Sequence, residues 1–168
     1  LMEKERFKNK VVVVTGAASG IGFALCKRFA HDGAKICLLD MDEKTLKGAQ
    51  KELAVSGVDC LAMMCDVSKR SQCENSIRKV IDHYGGIDVL INNAGITQRG
   101  AFVDTRISVF ERVMGINFFG SLYCTKAAIQ TLMQRKGLII VNESVAGLAP
   151  LLGRSGYSAS KHALHGLF

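Results

Sequence analysis

Val11-Val12-Val13-Val14 runs straight into Thr15-Gly16-Ala17-Ala18-Ser19-Gly20-Ile21-Gly22. A continuous run of β-branched apolar residues reads as a strand buried on both faces, which requires a sheet covered on both sides. The segment Phe23 to His31 then has helical spacing, with Phe23, Leu25, Cys26, Phe29 and Ala30 set against Lys27, Arg28 and His31. Strand, glycine loop and helix in this order form the first half of a dinucleotide site. The glycines allow a tight turn and close backbone approach, and the helix N-terminus receives the pyrophosphate. Gly16, Ser19, Gly20, Ile21 and Gly22 are the residues expected to do this. The spacing is G-x-x-x-G-x-G rather than G-x-G-x-x-G. Any turn can use glycines, so it is the flanking strand and helix that favour the nucleotide reading.

A second strand, Lys35-Ile36-Cys37-Leu38-Leu39, ends at Asp40, eighteen residues beyond Gly22. A ribose-binding acid is expected near this distance. A carboxylate there accepts from the adenosine 2′- and 3′-hydroxyls and repels a 2′-phosphate. No Lys or Arg follows until Lys44, and position 19 is Ser rather than a basic residue. NAD is therefore expected in preference to NADP. The rival reading makes Asp40 a cap for the following helix, with Asp42 as the alternative cap.

Strand and helix patterns alternate along the whole chain, which predicts a parallel sheet with helices on both faces and one α/β domain over residues 1–168. Strands are expected near 10–15, 35–40, 58–65, 87–92 and 138–143. Helices are expected near 21–32, 42–55, 69–84, 106–135 and 156–168. Gly85-Gly86 and Gly137 are read as helix stops, Gly137 in the left-handed position after the last turn. The long helix is apolar nearly all round, from Phe110 and Val113 through Phe118, Phe119 and Tyr123 to Ile129. One face can pack on the sheet, and the remainder suits a helix–helix contact between subunits.

Near the end of the chain stand Ser144, in Val-Asn-Glu-Ser-Val-Ala-Gly, and Tyr157 and Lys161, in Gly-Tyr-Ser-Ala-Ser-Lys. Residues four apart on a helix lie on one face, about 5–6 Å apart at Cβ. An ammonium held there favours tyrosinate, and a Tyr so tuned can exchange a proton with an alcohol oxygen. Taken alone, the pair also fits an ordinary exposed helix surface, and Ser144 alone fits a turn at a strand end. Asn117, a poor helix former inside the long helix, fits a polar residue bonded back to a carbonyl.

Together these motifs resemble the short-chain dehydrogenase/reductase family in its compact form. Thr15 to Gly22 (TGAASGIG) resembles the glycine motif, and Asn92-Asn93-Ala94-Gly95 resembles the motif that ends the fourth strand. Cys65-Asp66-Val67 resembles the third-strand segment whose Asp contacts adenine. Asn117, Ser144, Tyr157 and Lys161 match the Asn-Ser-Tyr-Lys tetrad. Extended relatives such as sugar epimerases have one fewer residue between the first two glycines.

The resemblance implies a Rossmann-type doubly wound sheet and hydride transfer between a nicotinamide cofactor and a secondary alcohol or ketone. It implies that Asp66, Val67, Asn93, Ala94 and Gly95 contact the cofactor, as do Tyr157 and Lys161, with Lys161 reaching the ribose. Ser144 would bond the substrate oxygen and Tyr157 would move the proton. Asn117 would help position a water that extends the relay from Lys161. Leu148, Ala149, Leu151 and Leu152 suggest an apolar substrate wall.

Family members continue through a substrate-covering lobe, so the resemblance implies a longer polypeptide. It also implies a homodimer or homotetramer, and expects residues 1–168 to bind dinucleotide with little turnover. A catalytically silent NAD-binding or scaffold protein is the second reading. Glu143 departs from the family, which carries a small residue there, and needs a partner near a core.

Composition separates the remaining classes. No uncharged apolar stretch approaches the ~20 residues of a membrane helix. The charged start, LMEKERFKNK, lacks the apolar core of a signal peptide. Six scattered cysteines without a C-x-x-C pair suit a reduced, cytoplasmic protein, and the four histidines show no ligand spacing with them, so no metal is expected. The net charge of +7 is the best argument for nucleic-acid binding. The basic residues are dispersed, however, with no run of three, no Trp and no interleaved aromatics, and no nucleic-acid partner is expected.

Overall fold

The computed structural model describes residues 6–168. Residues 1–5, half of the charged start, lie outside the described residues. Five strands, Val11–Thr15 (β1), Lys35–Asp40 (β2), Cys60–Met64 (β3), Val89–Asn92 (β4) and Leu138–Val141 (β5), form one parallel sheet in the order β3-β2-β1-β4-β5. Val12 pairs with Ile36 on one side and with Val89 on the other. The order reverses between β2 and β4, so the crevice of a doubly wound sheet opens at the carboxyl end of β1.

The alternation of the valines builds both layers. Val11 and Val13, with Cys37, Leu39 and Leu90, face Cys73, Ile77 and Val80 of α3 (Arg70–Tyr84) and Cys124, Ala128 and Leu132 of α5 (Gly120–Gln134). Val12 and Val14, with Ile36, Leu38 and Ile91, face Cys26 and Phe29 of α1 (Gly20–His31) and Leu46, Ala49 and Leu53 of α2 (Glu43–Val55). Each buried Val, Leu, Ile or Phe among them contributes about 1.5–3 kcal/mol. The six thiols are free, and five are buried. No helix among the described residues is long and apolar enough to cross a membrane.

Two differences from the sequence expectation concern the long helix and its end. The helix expected over 106–135 is α4 (Ile107–Met114), a wide π-turn (Gly115–Phe119) and α5. The apolar pattern marks the surface of the rod but not this local widening. Gly137 is not the left-handed residue; Lys136 is, with φ 50°. Gly137 is required instead by close approach, because a Cβ there would lie 2.6 Å from the Asp88 carbonyl oxygen. The last helix, α6 (Ser155–Leu167), follows a short 3-10 turn at Val145–Gly147.

Candidate functional site

The chain leaves β1 through Gly16, which takes φ +62° and sits so close to β4 that a Cβ would lie 2.9 Å from Ala94 Cα. Gly20, at φ +54°, opens α1 in the left-handed region. A Cβ on Gly22 would overlap the Gly16 carbonyl oxygen and lie 2.6 Å from Asn93 Nδ2. The loop is therefore folded onto the start of α1 with no room for a side chain at Gly16 or Gly22. Ser19 caps α1 without a side-chain hydrogen bond, and the first turn of the helix carries no acid.

These residues border a cleft of about 380 Å³ at the carboxyl end of the sheet. Gly16, Ser19, Ile21 and Gly22 form one side of it. Asp40, Asp66 and Val67 line a second side, and Asn93, Ala94 and Gly95 a third. Gly20 turns the chain but does not reach the wall. Tyr157 and Lys161 also lie off this wall, so it shows no cofactor contact for them. Met41, Cys65, Ile96, Ile116 and Asn142 complete the lining and were not among the expected cofactor contacts.

Of the two candidate caps for α2, the structure uses Asp42 and not Asp40. Asp42 caps α2, accepting from the Thr45 N–H at 3.0 Å. Asp40 Oδ2 accepts from the Ala18 N–H at 2.9 Å and Oδ1 from the Asp42 N–H at 3.1 Å. Its carboxylate thus braces the glycine loop while bordering the cleft. Asp66 accepts from the Ser68 N–H and hydroxyl through Oδ1, at 3.0 and 2.7 Å.

A polar lattice beneath the cleft fixes its third side. Thr15 Oγ1 accepts from the N–H groups of Asn93 and Ala94, each at 3.0 Å. Asn93 Nδ2 donates to the carbonyls of Thr15 and Gly16, at 2.9 and 3.1 Å. Asn93 Oδ1 accepts from Asn142 Nδ2 at 3.0 Å. The Asn93 side chain thus scaffolds the glycine loop. Thr15 and Asn142 stand inside the motif segments but were not among the expected site residues, and the structure gives both a scaffolding role here.

Asn117 is fully buried in the π-turn. Its Oδ1 accepts from the Ile96 N–H at 2.8 Å, and Nδ2 donates to the Ile96 carbonyl at 3.0 Å and to Ser160 Oγ at 2.9 Å. It therefore clamps the loop after β4 to α6, rather than bonding back along its own helix. Its carbonyl accepts from the Ser121 hydroxyl at 2.9 Å.

Ser144 starts the 3-10 turn, with Oγ accepting from the Ala146 N–H at 3.2 Å. Helix α6 lies directly on that turn, since a Cβ on Gly147 would be 3.0 Å from the Lys161 carbonyl oxygen. Arg154 precedes α6 without a side-chain cap bond. Gln98 supplies the missing acceptor, taking the Gly156 N–H at 3.1 Å. No local sequence pattern marks Gln98, yet it fixes the helix end next to Tyr157.

Lys161 is 6% exposed, and its Nζ donates to the Asn142 carbonyl at 2.7 Å. The same nitrogen lies 5.8 Å from the centroid of the half-buried Tyr157 ring. Burial pushes the Lys161 ammonium below the ordinary lysine range, and the nearby Glu143 carboxylate pulls the other way. Glu143 has its partner in His165, with Oε2 and Nδ1 3.2 Å apart. Among the described residues, no group of three His, Cys, Asp or Glu side chains could hold a metal ion.

A family model described as short chain dehydrogenase matches residues 10–168. Dehydrogenase/reductase SDR family member 7B of Mus musculus is 38% identical over 173 aligned residues, covering 100% of this chain and 54% of its own length. The structure of a short chain dehydrogenase/reductase from Burkholderia phymatum in complex with NAD superposes with a TM-score of 0.93 at 30% identity, covering 99% of this chain and 59% of that one. An actinorhodin polyketide ketoreductase variant with NADPH gives a TM-score of 0.91 at 31% identity, covering 95% of this chain and 62% of that one. The chain spans about half the length of the curated relatives it matches.

Proposed function

The chain belongs to the short chain dehydrogenase family of oxidoreductases, and on that premise we propose that it serves NAD-dependent interconversion of a secondary alcohol and its ketone, with Tyr157 as general acid and base. The supporting observation is the buried Lys161 ammonium, held on the Asn142 carbonyl beside the Tyr157 ring. A phenol held beside a cation is placed to exchange a proton with a substrate oxygen. Ser144, on the turn against which α6 packs, donates a hydrogen bond to the same oxygen and steadies its developing charge. Asn117 and Gln98 act by holding α6 in place.

The cleft fits a dinucleotide. The closed approach of Gly22 to Gly16 leaves a cradle that a Cβ would fill, and the uncapped start of α1 offers amides to a pyrophosphate. Asp40 borders the cleft where a ribose hydroxyl would bond, and a 2′-phosphate there would meet a carboxylate, which favours NAD. Of the two solved relatives above, one holds NAD and the other NADPH. When bound, the nicotinamide supplies the hydride chemistry. Gly16, Gly22, Asp40 and Asp66 would hold its adenosine and pyrophosphate.

An apolar substrate is favoured by Phe102, Leu151 and Leu152, which line an open hollow of about 520 Å³ ahead of α6. The deciding experiment compares Tyr157→Phe with the unmodified protein in its native polypeptide. Turnover should fall by about a hundredfold or more, with NAD affinity retained. Lys161→Ala should weaken both. Wild-type turnover in Tyr157→Phe would refute the acid–base assignment. NAD binding without turnover on any secondary alcohol would favour the silent, cofactor-binding reading.

A further inference from the structure

Helix α6 presents Tyr157, Lys161 and His165 at four-residue steps, so the three share one stripe of the helix. Two of them meet consecutive residues after β5. Lys161 donates to the carbonyl of Asn142, and the His165 ring lies against the carboxylate of Glu143. The Asn142 carbonyl satisfies a donor but does not neutralise a charge. Glu143 follows Asn142 directly and pairs with His165, four residues beyond Lys161 on α6, so its carboxylate stands on the same stripe as the ammonium and opposes the effect of burial on it.

The remaining surroundings leave little else to balance that charge. The 3-10 turn Val145–Gly147 and the π-turn Gly115–Phe119 carry no titratable side chain. Helix α4 contributes Glu111 and Arg112, both exposed. Helix α6 adds Tyr157 and the exposed His162, whose Nδ1 lies 2.9 Å from the Ser158 carbonyl oxygen. Burial disfavours an ammonium unless an opposite charge offsets it.

Building on the acid–base reading, we propose that Glu143, oriented by His165, is a positioning residue that keeps the Lys161 ammonium charged and seated on the Asn142 carbonyl. Glu143 touches no reacting atom in this role and acts through Lys161. His165 holds the carboxylate on the α6 side, where its field reaches Lys161, instead of leaving it free to turn into solvent. The family position taken by a small residue thus carries, in this chain, a counter-charge for the buried cation.

The test follows the Lys161 ammonium directly, by NMR titration of the NAD-bound protein labelled with ¹³C at lysine Cε. In Glu143→Gln the Lys161 midpoint should fall by about half a pH unit, a threefold loss of proton affinity. The alkaline limb of kcat against pH should fall with it. Glu143→Asp, which keeps the charge, should restore most of the shift. His165→Gln should move the midpoint in the same direction by less, and Glu111→Gln should leave it unchanged.

An unmoved midpoint in a folded Glu143→Gln protein would overturn the proposal. So would a midpoint that Glu143→Asp fails to restore, which would mark a packing role. The titration needs no turnover. Full activity in Tyr157→Phe would therefore refute the acid–base reading while the midpoint still decides on Glu143.

Discussion

Thr15 and Asn93 hold each other across the sheet at the base of the cleft. The threonine oxygen accepts from the Asn93 N–H at 3.0 Å, and the asparagine Nδ2 returns a bond to the Thr15 carbonyl at 2.9 Å. The two are 78 residues apart in sequence; Thr15 ends β1 and Asn93 directly follows β4, its neighbour in the sheet. The glycine loop is thus fixed from below before any ligand arrives.

Thr15→Ala should expose the cost of that arrangement. The N–H groups of Asn93 and Ala94 would lose their shared acceptor. A stability loss of about 1–3 kcal/mol is expected from urea unfolding, with weaker NAD binding by calorimetry. Thr15→Ser keeps the hydroxyl and should recover most of both. Unchanged stability in Thr15→Ala would show that water replaces the hydroxyl.

Gly22→Ala should be more damaging to the ligand than its one added methyl suggests. That methyl would overlap the Gly16 carbonyl oxygen, so the loop must move. NAD affinity should drop about tenfold or more, equivalent to at least ~1.4 kcal/mol. The matched control is Gly48→Ala in α2, where a Cβ meets open space. Equal NAD affinity in the two variants would contradict a tightly folded cradle.

Asp40→Asn separates the two duties of that side chain. The amide oxygen can still accept from the Ala18 N–H; the charge beside the cleft is gone, along with the acceptor for the Asp42 N–H. The preference for NAD(H) over NADP(H) should narrow by about tenfold, measured by titrating both cofactors calorimetrically. Equal or tighter NADP(H) binding by the unmodified protein would refute the cofactor assignment.

Acid sensitivity should trace to Asp88. Burial alone would raise its carboxyl, but the Val11 N–H, the Lys10 ammonium and the Arg135 guanidinium outweigh burial and hold it below the usual carboxylate range. A carboxyl depressed in the folded state binds its proton more readily when unfolded. Its stabilisation is therefore present above the ordinary value of about 3.9 and disappears as pH falls through the folded value. Asp88→Asn should cost about 1–3 kcal/mol at neutral pH. The gap from the unmodified protein should close between about pH 5 and pH 2. A gap independent of pH would assign the effect to packing.

Local patterns carried most of the fold, and long-range polar contacts were invisible. The valine run, the glycine loop and the Asp40 strand end are each contiguous, so periodicity and punctuation place them within a residue or two. Gln98 and Gly156 are 58 residues apart, and nothing near Gln98 announces that it caps a helix. The tetrad spacing pointed to Ser144 and Lys161, and α6 does lie on the Ser144 turn. It could not anticipate that Lys161 rests on the Asn142 carbonyl. Gly137 misled because a helix-stop glycine and a close-approach glycine look alike in one dimension.

The wide turn at Gly115–Phe119 makes a phase change in what would otherwise be a single rod. Each extra residue within a helix advances everything after it by about 100° around the axis. The segment before the turn packs against α6, and the segment after it packs against α3. One rod thereby turns a different face to each of its two neighbours. Losing a single residue there would leave a regular helix whose two halves no longer agree about which side is inside.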